Sequence, residues 1–332
     1  MYYVLHILKQ VVRSCYISWC FSLIKTILRL KWYTQITKNI VRGGAVNPAF
    51  RKYITEYILE KELEDKTGDS IVVPEIACEY LVKYPSMKKY IWWLSVDNYI
   101  RECGLIGRIK ISGWMHGIGG SLIRLCKGKY HNLKNTIHCA DMHLCQSEYA
   151  NEFLIGKDID ASKIASLSDY INDEYLQSCE ANLQKKKENI VLYNPKKGYK
   201  TTQKIIHEGS DIHWVPLENL SNAQMKELLS TAKVYIDFGN HPGKDRIPRE
   251  AVLCGCCLIT GRHGAAYNKM DIPIDDRYKF DDSHLVVSDV VCQIRDIMKH
   301  YDIHIQDFKD YRDKICKEKE VFVHDVNSIF GN

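Results

Sequence analysis

The chain lacks most of the features that would narrow its class at once. Across 332 residues there is no long basic block and no recognition motif for DNA or RNA, so nothing favours a nucleic-acid partner. No apolar run is long enough to cross a bilayer, because residues 1–30 are interrupted by Lys9, Arg13 and Lys25. No small-residue cleavage site follows a short apolar core, so no secretory leader is expected. The thirteen cysteines have no partner histidines at zinc spacing. Cys254, Cys256 and Cys257 cluster where a helix ends and an apolar strand begins. Adjacent strand residues point to opposite faces, so core packing in a reducing cytoplasm is expected there and a metal centre is not. Charge is nearly balanced, with 46 Lys and Arg against 41 Asp and Glu. The net charge of +5 suits a polyanionic ligand or an anionic membrane surface, and solubility explains it equally well.

What is present is an alternation of short apolar strands with helices, in a chain long enough for two cores. Strands are expected at 71–76, 90–97, 142–147 and 163–167, with a helix over 78–89. A turn-rich join is expected at 43–50. The charged stretch 180–188 reads as a linker or a solvated helix end. Beyond it, strands at 189–195, 212–217, 234–237 and 256–260 alternate with helices at 201–208, 221–231 and 248–254. The tail, 290–330, is helical in pattern and can cross back onto the first half. This alternation implies parallel, doubly wound sheets, which bind ligands at the carboxyl ends of their strands.

Two loops of the second half lie at such ends. One is Asn194-Pro195-Lys196-Lys197-Gly198, and the other runs from Phe238 through His241-Pro242-Gly243-Lys244-Asp245-Arg246 into a helix carrying Glu250. A strand, a turn rich in glycine and cations, and a helix N-terminus together form an anion site. Gly198 and Gly243 admit close backbone approach, Lys244 and Arg246 can neutralise a diphosphate, and Glu250 can accept bonds from ribose hydroxyls. Taken singly, each residue is a surface charge, and Glu250 simply favours a helix N-terminus. In the first half, Asp97 and Asn98 follow a strand, where a carboxylate orients an acceptor, acts as a base or caps the next turn. Trp92 and Trp93 read as core, and His116 is a weaker acceptor-side candidate.

These stretches resemble bacterial glycosyltransferases of the GT-B architecture. The resemblance is carried by Asn194–Gly198, by His241–Ala251, by Gly255–Gly264 and by Asp271-Ile272-Pro273-Ile274. Trp92–Tyr99 and Leu167–Asn172 add to it in the first half. It implies an α/β fold of two Rossmann-like domains facing a central cleft, the N-terminal one incomplete. The implied division is an atypical segment at 1–42, an acceptor-side domain at 43–180, a donor domain at 181–300 and a helical tail at 301–332. It also implies a glycosyltransferase moving a sugar from a nucleotide-sugar donor to a glycan or lipid-linked glycan acceptor in surface polysaccharide synthesis. Such a protein would be cytoplasmic or peripheral at the inner membrane. Asp97 would be the catalytic carboxylate, with Asn98 and His116 beside the acceptor. Asn194, Lys196, Gly198, His241, Gly243, Lys244, Arg246 and Glu250 would bind the donor. Glu250 matches the second glutamate of the family's donor pair. Pro242 stands where the first would fall, so His241 or the amides near Gly243 would contact the sugar instead. No cofactor or divalent metal is implied, since cationic side chains and a helix N-terminus stabilise the leaving diphosphate. A nucleotide-sugar epimerase and a non-catalytic nucleotide-sugar or glycan-binding protein are the alternatives. An epimerase would need no acceptor, and a binding protein would show no turnover.

The same resemblance calls for an opening strand and a glycine-rich turn, and residues 1–40 are expected to hold neither. With suitable synonymous codons, the stretch from Met1 to Trp19 reads in a shifted frame as VLCAPHIETGGPELLHQL, a strand, a TGGPE turn and a helix start. A frame restored near 42–46 would account for the mismatch, and transferase activity is expected to be weakened in the chain as written.

Overall fold

A computed structural model describes residues 2–5, 38–41, 57–126 and 136–331. The chain divides into two compact units, residues 1–169 with 321–332 and residues 170–320. The expected turn at 43–50 lies outside the described residues.

Among the described residues the first unit holds seven parallel strands. They are β1 (Tyr2–Leu5), β2 (Lys38–Val41), β3 (Tyr57–Leu59), β4 (Ser70–Pro74), β5 (Lys88–Trp93), β6 (Met142–Cys145) and β7 (Ile164–Ser166), in the order β3-β2-β1-β4-β5-β6-β7. The expectation that residues 1–40 hold no strand is corrected here. β1 pairs in parallel with β2 on one side and β4 on the other. Tyr-Tyr-Val-Leu is an aromatic and β-branched run suited to a pleated sheet, although no glycine turn follows it. That turn is absent from the sequence, whose first glycine is Gly43.

β4 and β5 are apolar and buried along most of their length, as parallel strands covered on both faces are. Trp92 and Trp93 are core residues whose indole N–H groups donate to Leu167 O at 2.9 Å and His143 Nδ1 at 3.0 Å. β5 ends at Trp93, short of the expected 97, because Ser95 caps a helix over Val96–Glu102. The final residues, 321–332, return to this unit, where Phe322 packs on Trp92 and Phe330 on Tyr90, with ring centroids 6.4 and 5.2 Å apart.

The second unit contains β8 (Glu188–Tyr193), β9 (His213–Pro216), β10 (Ala232–Asp237), β11 (Cys257–Gly261) and β12 (Lys279–Phe280), all parallel. Their order is β12-β11-β10-β8-β9. From β8 the chain winds outward to β9, then returns to the other side of β8 to lay down β10. The strand order therefore reverses between β8 and β10, and such a reversal opens a crevice at the carboxyl edge. Val191, Leu192, Val234, Ile236, Leu258 and Ile259 form the middle of the core and are almost wholly buried. Each contributes about 1.5–3 kcal/mol relative to exposure.

The join between units falls at Asp169 and Tyr170, ahead of the charged stretch expected to be a linker. Ile171, Tyr175 and Cys179 already belong to the second core, and Cys179–Gln184 is a helix. Lys187 anchors the exit by donating to the carbonyls of Ser230 and Cys254. The stretch 180–188 is thus packed against the second unit.

Candidate functional site

The reversal between β8 and β10 brings together the two loops singled out in the sequence. Gly198 follows β8 with φ +59° and precedes the helix Tyr199–Glu208. A Cβ at Gly198 would lie 2.0 Å from Phe238 O and 2.6 Å from Gly239 N, so the loops touch backbone to backbone and only glycine fits. Asn194 holds its own loop, its Oδ1 accepting from Lys196 N at 3.0 Å, while the Lys196 side chain is exposed. The second loop leads into the helix Arg246–Leu253, with Asp245 at the N-cap. Neither this helix nor Tyr199–Glu208 has a side-chain cap at its N-terminus. Amides of two helix first turns therefore flank one crevice, each with a positive dipole end.

The cations of the second loop divide into two sets. Arg246 is partly exposed, and its Nε lies 3.1 Å from Glu250 Oε1. Glu250 is buried, and its Oε2 has no hydrogen-bond partner. Burial pushes the Glu250 carboxyl up to about 7, against the pull of Arg246 and Arg249. Lys244, expected to face a diphosphate, instead points into the protein. Its Nζ lies 2.7 Å from Glu318 Oε1, and only 7% of its side chain is exposed. Arg249, which the sequence did not single out, holds the other oxygen of Glu318 at 2.7 Å. Arg249 also donates to Lys244 O and Asp245 O, so it ties the turn to the helix Lys309–Phe330. Gly243 is buried within this turn.

The structure corrects the expectation that His241 contacts a donor sugar, because both of its ring nitrogens are turned toward carboxylates of its own loop. Its ring lies between Asp237 and Asp245, the latter also paired with Lys197 Nζ at 2.7 Å. Burial raises the Asp245 pKa, but Lys197 and His241 outweigh it and hold the carboxyl well below the usual carboxylate range. Asp237, His241 and Asp245 are the described residues with metal-ligand chemistry grouped together. The Asp245 oxygen nearest the ring is already bound to the Lys197 ammonium.

In the first unit, Asp97 lies in the first turn of Val96–Glu102. Capping belongs to Ser95, whose Oγ accepts from Asn98 N at 3.2 Å. Asp97 is half-buried and accepts from the Tyr149 hydroxyl at 3.2 Å. Asn98 Oδ1 accepts from Arg101. His116 is exposed on the helix Trp114–Cys126.

Glu75, just after β4, is a buried carboxyl that the sequence reading passed over. It accepts from Leu94 N at 3.1 Å, yet burial pushes it up to about 7 against that bond and the charge of Arg101. A raised carboxyl stabilises the fold below its unfolded pKa of about 4.3, and that stabilisation is lost as pH rises through the folded value. We expect Glu75→Gln to match the parent melting temperature at pH 4. At pH 8 it should melt several degrees higher, because the ionised carboxylate costs on the order of 3 kcal/mol. A melting difference independent of pH would count against the buried, protonated carboxyl.

Two doubly wound parallel-sheet units, the second with its polar loops gathered at the strand-order reversal, constitute the GT-B architecture. Sucrose-phosphate synthase from Thermosynechococcus elongatus superposes with a TM-score of 0.62 at 12% identity, over 99% of this chain and 98% of that one. Anabaena HepE, solved with UDP-glucose, gives 0.62 at 8% identity over 99% and 100%. Staphylococcus aureus TarM, solved with UDP, gives 0.52 at 11% identity over 82% of this chain, which spans 57% of TarM. At these identities the likeness is one of fold. No family model and no curated protein matches the chain.

Proposed function

We propose that the chain is a glycosyltransferase that takes a nucleotide sugar at the β8/β10 reversal and transfers the sugar to a glycan acceptor. The observation that carries this reading is the buried, unpartnered Glu250 oxygen beside Arg246, one turn into a helix whose N-terminus has no side-chain cap. A nucleoside diphosphate matches those groups. Its phosphates meet helix amides, Arg246 and Lys196, and its ribose hydroxyls donate to Glu250. Similar folds solved with UDP and with UDP-glucose support the choice of ligand class. The acceptor side is assigned to the first unit, where Asp97, held by Tyr149, is the carboxylate offered as base or orienting group. Fixed cations and helix dipoles supply the charge that leaving-group departure needs, so no divalent metal is assigned a role.

A thermal-shift screen tests the reading. UDP and UDP-sugars are expected to raise the melting temperature in buffer with EDTA, and Glu250→Ala to abolish the rise. No shift with any nucleotide sugar would remove the donor site. Conversion of a UDP-sugar without acceptor would favour an epimerase, a reading supported by the similar fold of the Neisseria meningitidis UDP-GlcNAc 2-epimerase (TM-score 0.50, 8% identity).

The finer reading places the acceptor as a lipid-linked surface glycan at the inner membrane face, in keeping with the mild positive charge. No helix among the described residues is long and apolar enough to cross a membrane. The missing glycine turn after β1 is the remaining ground for a shifted reading frame and weakened turnover, and sequencing the gene decides it.

A further inference from the structure

We propose that His241 is a buried imidazolium that positions the loops of the donor site, and that loss of its proton weakens binding of a nucleoside diphosphate there. The second half of this inference rests on the donor-site reading; the first does not.

Geometry carries it. Nδ1 lies 3.3 Å from Asp245 Oδ2 and Nε2 lies 3.8 Å from Asp237 Oδ1, so each ring nitrogen faces a different carboxylate. A neutral imidazole has one N–H and would turn a lone pair toward one of them, whereas an imidazolium offers a proton to both. Neither nitrogen has an aligned hydrogen-bond partner, and the ring is wholly buried. A metal ion there would have to compete with the Lys197 ammonium, which already holds the Asp245 oxygen nearest the ring.

The carboxylates are themselves fixed. Asp237 accepts from the Tyr235 hydroxyl at 2.9 Å and from Gly239 N at 3.0 Å, and Asp245 pairs with Lys197. The carbonyl of His241 accepts from Ala265 N at 2.8 Å. His241 thus links its own loop to the one after β11 through its carbonyl and to the one after β8 through Asp245 and Lys197. The charged groups facing the ring are Asp237 from the end of β10, Asp245 from the helix entry and Lys197 from the loop after β8, with the Tyr235 hydroxyl behind Asp237. Deprotonation of His241 removes one buried positive charge beneath the loops proposed to hold phosphate.

Burial disfavours the imidazolium, but the two carboxylates outweigh it and raise the pKa above the ordinary value, with Lys197 opposing. Its stabilisation is therefore complete below an unfolded pKa of about 6.5 and is lost as pH rises through the folded value. His241 acts through its neighbours and does not touch the ligand, so it is a positioning residue.

The test uses the full chain labelled with 15N-histidine. The His241 ring is followed by NMR from pH 5 to 9 with and without UDP, and UDP affinity is measured by calorimetry over the same range. Both ring nitrogens are expected to be protonated at pH 6.5. UDP should raise the His241 pKa, and affinity should fall with rising pH by tenfold for each unit of that rise. His241→Gln should lose this fall. A neutral tautomer at pH 6 overturns the imidazolium, whatever UDP does. UDP binding that leaves the His241 pKa unmoved overturns the coupling. Absence of UDP binding at every pH overturns the donor site and the coupling with it, while the ring titration still decides the charge state. The parent titration needs no variant, so failure of His241→Gln to fold leaves the test intact.

Discussion

Glu318→Ala is expected to destabilise the second unit by on the order of 3–5 kcal/mol, the largest loss foreseen for any single substitution in it. Glu318 is buried and lies 2.7 Å from both Lys244 Nζ and Arg249 Nη1. Removing it leaves two cations in a dehydrated site. Arg249 keeps the carbonyls of Lys244 and Asp245, and the Lys244 ammonium loses the Glu318 carboxylate. A domain of this size should melt roughly 10 °C lower. The pH dependence has a definite sign. Burial raises the Glu318 pKa, but Arg249 and Lys244 outweigh it and the net shift is downward. That stabilisation is present above about 4.3 and is lost as pH falls through the folded pKa, so the parent should be acid-labile and the variant less so. Replacing the three side chains together, as Lys244→Met, Arg249→Met and Glu318→Leu, should cost less than the single change, because the two cations leave with the carboxylate that they share. A loss below about 1 kcal/mol for Glu318→Ala in chemical denaturation would show that the cluster does not hold the turn in place.

Much of this arrangement is legible in the sequence because it follows from local chemistry. The apolar runs around Ile91, Val191, Val234 and Ile259 identify buried parallel strands, and their alternation with helices identifies two doubly wound sheets. The loops after β8 and β10 stand out because glycines and cations follow strands directly. Which cation faces outward is a different matter. Lys244 and Arg246 are two residues apart and chemically alike in a linear reading. They part only because Glu318, far along the chain in a charge-rich helix, reaches Lys244 and Arg249. His241 misled for a similar reason. A histidine beside a glycine turn reads as a ligand contact until Asp237 and Asp245 are seen on either side of it. The opening strand is hidden by the family pattern, which pairs such a strand with a glycine turn. Tyr2–Leu5 satisfies strand chemistry without the glycine turn that the pattern demanded.

Glu250→Ala is expected to reduce UDP affinity roughly 30- to 100-fold, the equivalent of about 2–3 kcal/mol for hydrogen bonds to a charged acceptor. The burial that raises the carboxyl to about 7 also makes its effect depend on pH. Below that value Glu250 carries a proton and accepts ribose hydroxyl bonds poorly. Above it, the carboxylate accepts them fully, so affinity should rise as pH passes through about 7. Glu250→Gln keeps the shape and one acceptor but cannot ionise, so it should bind weakly and lose this rise. His241 has the opposite sign, since its proton favours binding and its pKa lies above the ordinary histidine value. The parent should therefore bind UDP best over a limited range, bounded below by Glu250 ionisation and above by His241 deprotonation. Calorimetry of three proteins separates the limbs. Glu250→Gln should lose only the rising one and His241→Gln only the falling one. If Glu250→Gln binds UDP with the parent's affinity and pH profile, the carboxylate does not touch the ribose, and the unpartnered oxygen beside Arg246 has some other role.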